Sequence, residues 1–359
     1  MLPRRSLALA LVLVLVTVPL SGCLNLGSSN GYGESAWYVK MVQADKLHDR
    51  GLTGKGVKVA IIDTGIDLSH PEFNGVTIEW ADLVDHRAEA YDDNGHGTHV
   101  AGIIVAQGRF STFFSGFRLR GLAPGVSLLI IKAMDAHGDG DEAQVAQGIN
   151  TAVANGASII VLSLGGKTKP IFGTNTENAV TAAINKGVYV VAAAGNAQKD
   201  KGETECPINS PASVAGVIAV GAVDKNAAIA DFSCHGTGKE GNGSVLPGVP
   251  SPVTRAKDPD KKPEVVAPGV DVLSTWKDEG YAMASGTSQA APMVGAVLAL
   301  ILEAKPNLAH KDAATVESVK TQLMGSSKKI GPLSTGDPTS HDDYYGYGLV
   351  QGDALLRSL

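Results

Sequence analysis

The chain has 359 residues, of which 44% are hydrophobic and 18% charged, with 43 glycines. That composition belongs to a globular protein with enough apolar content for one large core, not to a disordered or fibrous chain. A net charge of −6 supplies no basic surface for a nucleic-acid backbone, so no such partner is expected.

Residues 1–22 combine Arg4 and Arg5, an apolar run from Leu7 to Val16, and Pro19. These are the n-region and h-region of an export signal, too short for a typical membrane span. Ordinary cleavage wants small residues one and three positions before the cut, and a cut before Cys23 would put Leu20 third. LSGC instead resembles the lipobox of bacterial-type lipoproteins, whose cysteine is lipidated. A plain secretory signal and an uncleaved anchor are the alternatives; all three place the rest of the chain outside the membrane. LNLGSSNGYGES, 24–35, reads as a flexible tether reaching about 20 Å, so a lipidated form stays near its membrane.

A single domain is expected from Trp37 to Leu359. VKVAIID is a buried strand, 57–62, that ends in Asp63 with Gly65 close behind. DDNGHGTHVAGIIVA places His96 at a helix start between two glycines. SLLIIKAM, 127–134, is a further buried strand, and a helix begins near Asp141. SIIVLSLGG, 158–166, is the next strand, followed by a helix capped by Thr176 and closed by Gly187. The strand 188–194 leads to Asn196. GTSQAAPMVGAVLALILEA, 286–304, has no polar stripe from Ala290 onward and reads as a helix buried on nearly all sides. Thr287 or Ser288 is expected to cap it, and Pro292 cannot donate to the carbonyl of Ser288. KDAATVESVKTQLMG is an amphipathic helix with Val316, Val319 and Leu323 inward, and YGYGLVQGDALL closes the domain. Alternating strands and helices predict a parallel sheet with right-handed crossovers, and polar residues at strand ends predict its site.

Serine is a weak nucleophile unless a base takes its proton. Singly, Asp63 is more often a turn residue and Ser288 a cap; jointly with His96 and Asn196 they supply nucleophile, base, orienting carboxylate and oxyanion donor. His96 and His99 stand three apart, but no HExxH string or third ligand makes them a metal pair, and His99 is expected to support the site.

DTGID, HGTHVAG, AAAGN and GTSxAAP occur in that order, with lesser matches at 163–166, 217–224, 266–275 and 345–350. On these strings the chain resembles the subtilisin-like serine proteases, whose triad runs Asp, His, Ser. The resemblance implies a three-layer α/β/α fold with a mostly parallel sheet and an extracytoplasmic endopeptidase acting through Asp63, His96 and Ser288, with Asn196 and the Ser288 amide as oxyanion donors. It implies that a peptide substrate lies between Gly138–Asp139–Gly140 and Ser163–Leu164–Gly165, above a pocket lined by Ala193, Ala194 and the 197–210 loop. No cofactor is implied for the chemistry. Glu72 falls where the family keeps a carboxylate for a structural calcium, and a monomer is expected.

Departures are visible. Gln289 stands where methionine is most common. The tether leaves no room for the prodomain usual in secreted members. RFSTFFSGFRLRG, 109–121, replaces a short loop and holds four of the seven phenylalanines; it reads as a hairpin packing its own aromatics or as a membrane- or substrate-facing surface. Cys206 and Cys234 form a disulfide or remain two buried thiols. Residues 239–262 read as a surface insertion. Two other functions use the same chain: a silent binding module of this fold, and a peptide ligase or transacylase with the same triad.

Overall fold

The computed structural model describes residues 33, 35–109, 118–165, 174–198, 202, 206–208, 210–236, 261–335 and 340–359. The export signal, Cys23, most of the tether, the aromatic stretch 110–117 and most of the expected insertion lie outside the described residues.

Seven strands form one parallel sheet: β1 (Lys58–Asp63), β2 (Ile78–Asp82), β3 (Ser127–Lys132), β4 (Ile159–Leu162), β5 (Tyr189–Ala193), β6 (Ile218–Val223) and β7 (Val265–Pro268). Their order is β2-β3-β1-β4-β5-β6-β7. Runs such as KVAIID and IAVGAV are apolar at nearly every position because both faces of a parallel sheet are covered by helices. Only the edge strand β2 is half-buried, which is why no continuous apolar run marks it.

Two helices, α3 (His96–Val105) and α6 (Thr287–Ala304), pack together and against the sheet; α4 (Glu142–Ala154) and α5 (Thr174–Asn185) form the other layer. The expected three-layer α/β/α arrangement is therefore present. The long helix α6 is apolar and long enough to cross a membrane, but it is buried from Thr287 to Leu302 and is the core helix. The N-terminal helices α1 (Ala36–Met41) and α2 (Ala44–His48) meet the C-terminal α8 (Gly352–Ser358), where Gly352 N donates to Val42 O. Between them in sequence, α7 (Ala313–Ser326) buries Val316, Val319 and Leu323 as expected.

The chain reverses its direction of travel across the sheet at β1: β3 lies on one side and β4 on the other. A crevice opens at the carboxyl end of a parallel sheet at such a switch point, and Asp63 is the last residue of β1. An antiparallel hairpin of β8 (Val272–Trp276) and β9 (Gly280–Ala284) then carries the chain directly into α6.

Three local expectations are corrected. The helix α5 starts at Thr174, so Thr176 lies inside its first turn and donates to Glu142 O instead of capping. At α6 the N-cap is Gly286 with no side-chain cap, because both hydroxyls expected there are engaged elsewhere. Lys262, at the end of the expected surface insertion, is buried: its Nζ lies 2.7 Å from Glu264 and 2.6 Å from Val217 O.

Candidate active site

The Asp63 carboxylate accepts from Thr64 N at 2.7 Å and lies 2.8 Å from His96 Nδ1. Both side chains are buried. With Nδ1–H donated to the carboxylate, His96 Nε2 is the basic nitrogen, and among the described residues no group bonds to it. Burial pushes the imidazole pKa down, but the charges of Asp63 and Asp92 outweigh it and hold His96 above the ordinary value.

The peptide ahead of α3 is tightly fixed. Asp92 accepts from Gly95 N, Thr98 N, Thr98 Oγ1 and Thr64 Oγ1 at 2.6–2.9 Å, satisfying amides that a helix start leaves free. Gly97 is required by space: a Cβ there would stand 2.2 Å from Gly65 O. Gly102 has the same role against β8, where a Cβ would meet Thr275 Oγ1 at 2.1 Å. His99 joins α3 to the hairpin through Val272 O and Ala282 O, and burial with the nearby His96 pushes its pKa down to about 3. It is a neutral structural histidine, as expected.

Ser288 is the second residue of α6 and is buried. Its Oγ donates to Ser163 O at 2.9 Å, not to His96. Thr287 Oγ1 donates to Asn196 Oδ1 at 3.0 Å, and Thr287 N does the same, which fixes the carboxamide. Nδ2 of Asn196 therefore faces Gly286. A Cβ built on Gly286 would stand 3.2 Å from that nitrogen, 3.6 Å from Ser288 N and 2.8 Å from Gln289 Oε1. Asn196 Nδ2 and the Ser288 amide thus lie near each other on one side of Gly286, the pairing of two N–H donors that a developing oxyanion needs.

Of the two expected substrate edges, 163–165 begins at Ser163, which is hydrogen-bonded to Ser288. Met134 bridges to Gly140, and Asn94 Nδ2 donates to Ala136 O at 3.0 Å, bracing the turn that carries Gly138 and Asp139. Ser163 and Leu164 are buried beside Ser288, Gly165 is half-buried, and Ala193 and Ala194 are buried at the end of β5. Most of the loop 199–205 lies outside the described residues. Cys206 and Cys234 are joined by a disulfide, which settles the alternative left open by the sequence. It ties that loop to the strand segment bridging Asn196 and Ser233.

Glu72 is fully buried, but its oxygens accept from Arg109 N at 3.1 Å and Tyr281 Oη at 3.2 Å. Among the described residues no group of three or more acidic, His or Cys side chains fits a metal ion. Each Glu72 oxygen thus takes a donor within the protein. In the family the rest of such a site comes from the segment after the His96 helix, of which residues 110–117 lie outside the described residues.

Sequence reasoning missed Thr64, Asp92 and Lys132 and the direct link from Ser163 to Ser288. Lys132 left a signal, being the lone charge in SLLIIK.

The Subtilase family model matches residues 54–348. Subtilisin Savinase of Lederbergia lenta is 34% identical over 321 residues, 89% of this chain and 98% of its own. M-protease of Shouchella clausii is 35% identical over 321 residues, 89% of this chain and 70% of its own. A thermophilic serine proteinase from a Bacillus species is 35% identical over 310 residues, 86% of this chain and 65% of its own. With the fold, the family match and these relatives in agreement, the chain belongs to the subtilase family and is a serine endopeptidase.

Proposed function

We propose that the protein hydrolyses polypeptides outside the cytoplasm through a covalent acyl-enzyme on Ser288. The observation that carries this reading is His96 Nδ1 held 2.8 Å from Asp63 while Nε2 stays unbonded at the crevice.

The Ser288 hydroxyl turns from Ser163 O toward His96 Nε2 and gives up its proton as Oγ attacks the scissile carbonyl. The new C–O bond puts charge on the carbonyl oxygen, which accepts hydrogen bonds from Asn196 Nδ2 and Ser288 N. His96 returns the proton to the leaving amine as the C–N bond breaks, leaving a serine ester. Water, deprotonated by His96, cleaves the ester and restores the serine. Asp63 keeps the imidazole in the required tautomer and stabilises its charged form. The substrate backbone lies between 138–140 and 163–165 as an added strand.

Export rests on the signal-like residues 1–22, and anchoring on Cys23 as the lipidated residue of LSGC. Metabolic labelling with a radioactive fatty acid tests the anchor: incorporation lost in Cys23→Ala supports it, and none in the wild type contradicts it. For the chemistry, casein hydrolysis by the purified chain that vanishes in Ser288→Ala is expected. Undiminished hydrolysis in that variant would overturn the assignment.

A further inference from the structure

Lys132 is the last residue of β3 and is fully buried. Its ammonium donates to Thr64 O at 2.6 Å, to Asp93 Oδ1 at 2.7 Å and to Met134 O at 2.9 Å. It also lies 4.7 Å from the centre of the Tyr91 ring. These acceptors come from three different segments. Thr64 follows Asp63 directly, Asp93 precedes His96 by one helix entry, and Met134 opens the turn to Gly140.

A buried ammonium needs acceptors wherever it lies, so three bonds alone would describe a structural lysine. The identity of the acceptors says more. Thr64 O belongs to the residue whose N–H donates to the Asp63 oxygen facing His96. The same threonine's Oγ1 accepts from Gly97 N and donates to Asp92. A shift of the Thr64 peptide therefore moves the carboxylate and the start of α3 relative to each other. The turn at 134–140 has independent braces in Asn94 Nδ2 to Ala136 O and the Asp135 side chain on His137 N and Asp139 N. Neighbouring strands place Asp63 and Asp82 beside Lys132, and Lys277 Nζ donates to Asp93 O at 2.8 Å, so the Asp93 segment is held from two sides.

We propose that Lys132 is a positioning residue for the hydrolytic reaction, keeping Asp63 and the start of α3 in register so that its loss falls on turnover and not on substrate binding. This rests on the peptidase reading above. Misplacing reacting groups by about 1 Å costs up to about a hundredfold in rate, which sets the scale.

The test compares kcat, KM and melting temperature on a fluorogenic peptide for the full chain, Lys132→Met, Asp93→Asn and Lys320→Met. Lys320 is an equally buried lysine in α7, on Glu264 and away from the site. Lys132→Met is expected to lose at least about tenfold in kcat with KM within about twofold. Asp93→Asn is expected to lose about threefold, and the double variant to be no worse than Lys132→Met, since both act through one network. Lys320→Met melts lower with kcat unchanged. A Lys132→Met kcat near wild type, a KM rise matching the loss, or an equal loss in Lys320→Met overturns the proposal. If Lys132→Met does not fold, an unchanged kcat in Asp93→Asn overturns it. A wild-type chain without hydrolysis overturns the peptidase reading and this proposal together; an active one confines failure to the proposal.

Discussion

Ser288 and Ser163 exchange two hydrogen bonds, each 2.9 Å: Ser288 Oγ donates to Ser163 O, and Ser163 Oγ donates to Ser288 O. The second bond has a cause in the sequence. The helical partner of the Ser288 carbonyl would be the amide of residue 292, and Pro292 has none. Ser163 supplies the missing donor from the neighbouring strand end. Ser163→Ala should therefore cost about 1–3 kcal/mol by leaving a buried carbonyl unsatisfied. Adding Pro292→Ala, which restores an amide, should recover part of that loss. Denaturant unfolding of the two single variants and the double variant measures it; strictly additive losses would contradict the relationship.

Activity and stability should respond to His96 in opposite directions. In the proposed reaction neutral imidazole is the base; burial lowers its pKa, and the charge and hydrogen bond of Asp63 together with the charge of Asp92 outweigh burial and hold it above the ordinary 6.5. The acidic limb of kcat/KM should then lie above pH 6.5. Because the folded state binds this proton more tightly than the unfolded state, its stabilising contribution is complete below the ordinary pKa and is lost as pH rises through the folded one. Asp63→Asn should shift the limb to lower pH and cut turnover about 10⁴-fold. A wild-type limb at or below the ordinary imidazole value would contradict the charge assignment.

The site's four polar residues were legible because each follows an apolar run or a glycine, at a position where a buried strand or helix begins or ends. Asp63 after VKVAII and Asn196 after VYVVAAAG needed no structure to be singled out. The supports were not legible. Asp92 looks like any acidic loop residue until its oxygens are seen to take the free amides of α3. Thr287 and Ser288 read as caps by type, because a sequence does not show that Asn196 and Ser163 bind their hydroxyls first. Strands were legible at 57–62, 127–134, 158–166 and 188–194, but not at β2, β6, β7 or the β8–β9 hairpin; β2 and β9 are half-buried and so carry no continuous apolar run.

Displacing an oxyanion donor should be as harmful as removing it. Asn196→Ala should lower kcat about 100- to 1000-fold with little change in KM, a magnitude carried over from the matching asparagine of the family. Gly286→Ala places a methyl group 2.8 Å from Gln289 Oε1 and 3.2 Å from Asn196 Nδ2, displaces both side chains and should reach a similar loss. Steady-state kinetics decides; full turnover in Gly286→Ala would move the oxyanion elsewhere.

Beneath β7, Glu264 is buried between Lys262 at 2.7 Å and Lys320 at 3.4 Å, and its other oxygen accepts from Ala219 N at 2.7 Å. Burial drives Lys262 down to about 8 even with the carboxylate beside it. Glu264→Gln leaves two buried ammoniums facing each other and should cost about 3–5 kcal/mol. Chemical denaturation measures this, and a loss under about 1 kcal/mol would mean that the cluster is hydrated.

The central claim is that Ser288 becomes the nucleophile when its hydroxyl leaves Ser163 for His96. A fluorophosphonate reagent reacts with an activated serine, and peptide mapping by mass spectrometry locates the adduct. One adduct on Ser288, absent from Ser288→Ala and strongly slowed in His96→Ala, is the predicted result. An adduct on another residue, or labelling that survives Ser288→Ala, would contradict it.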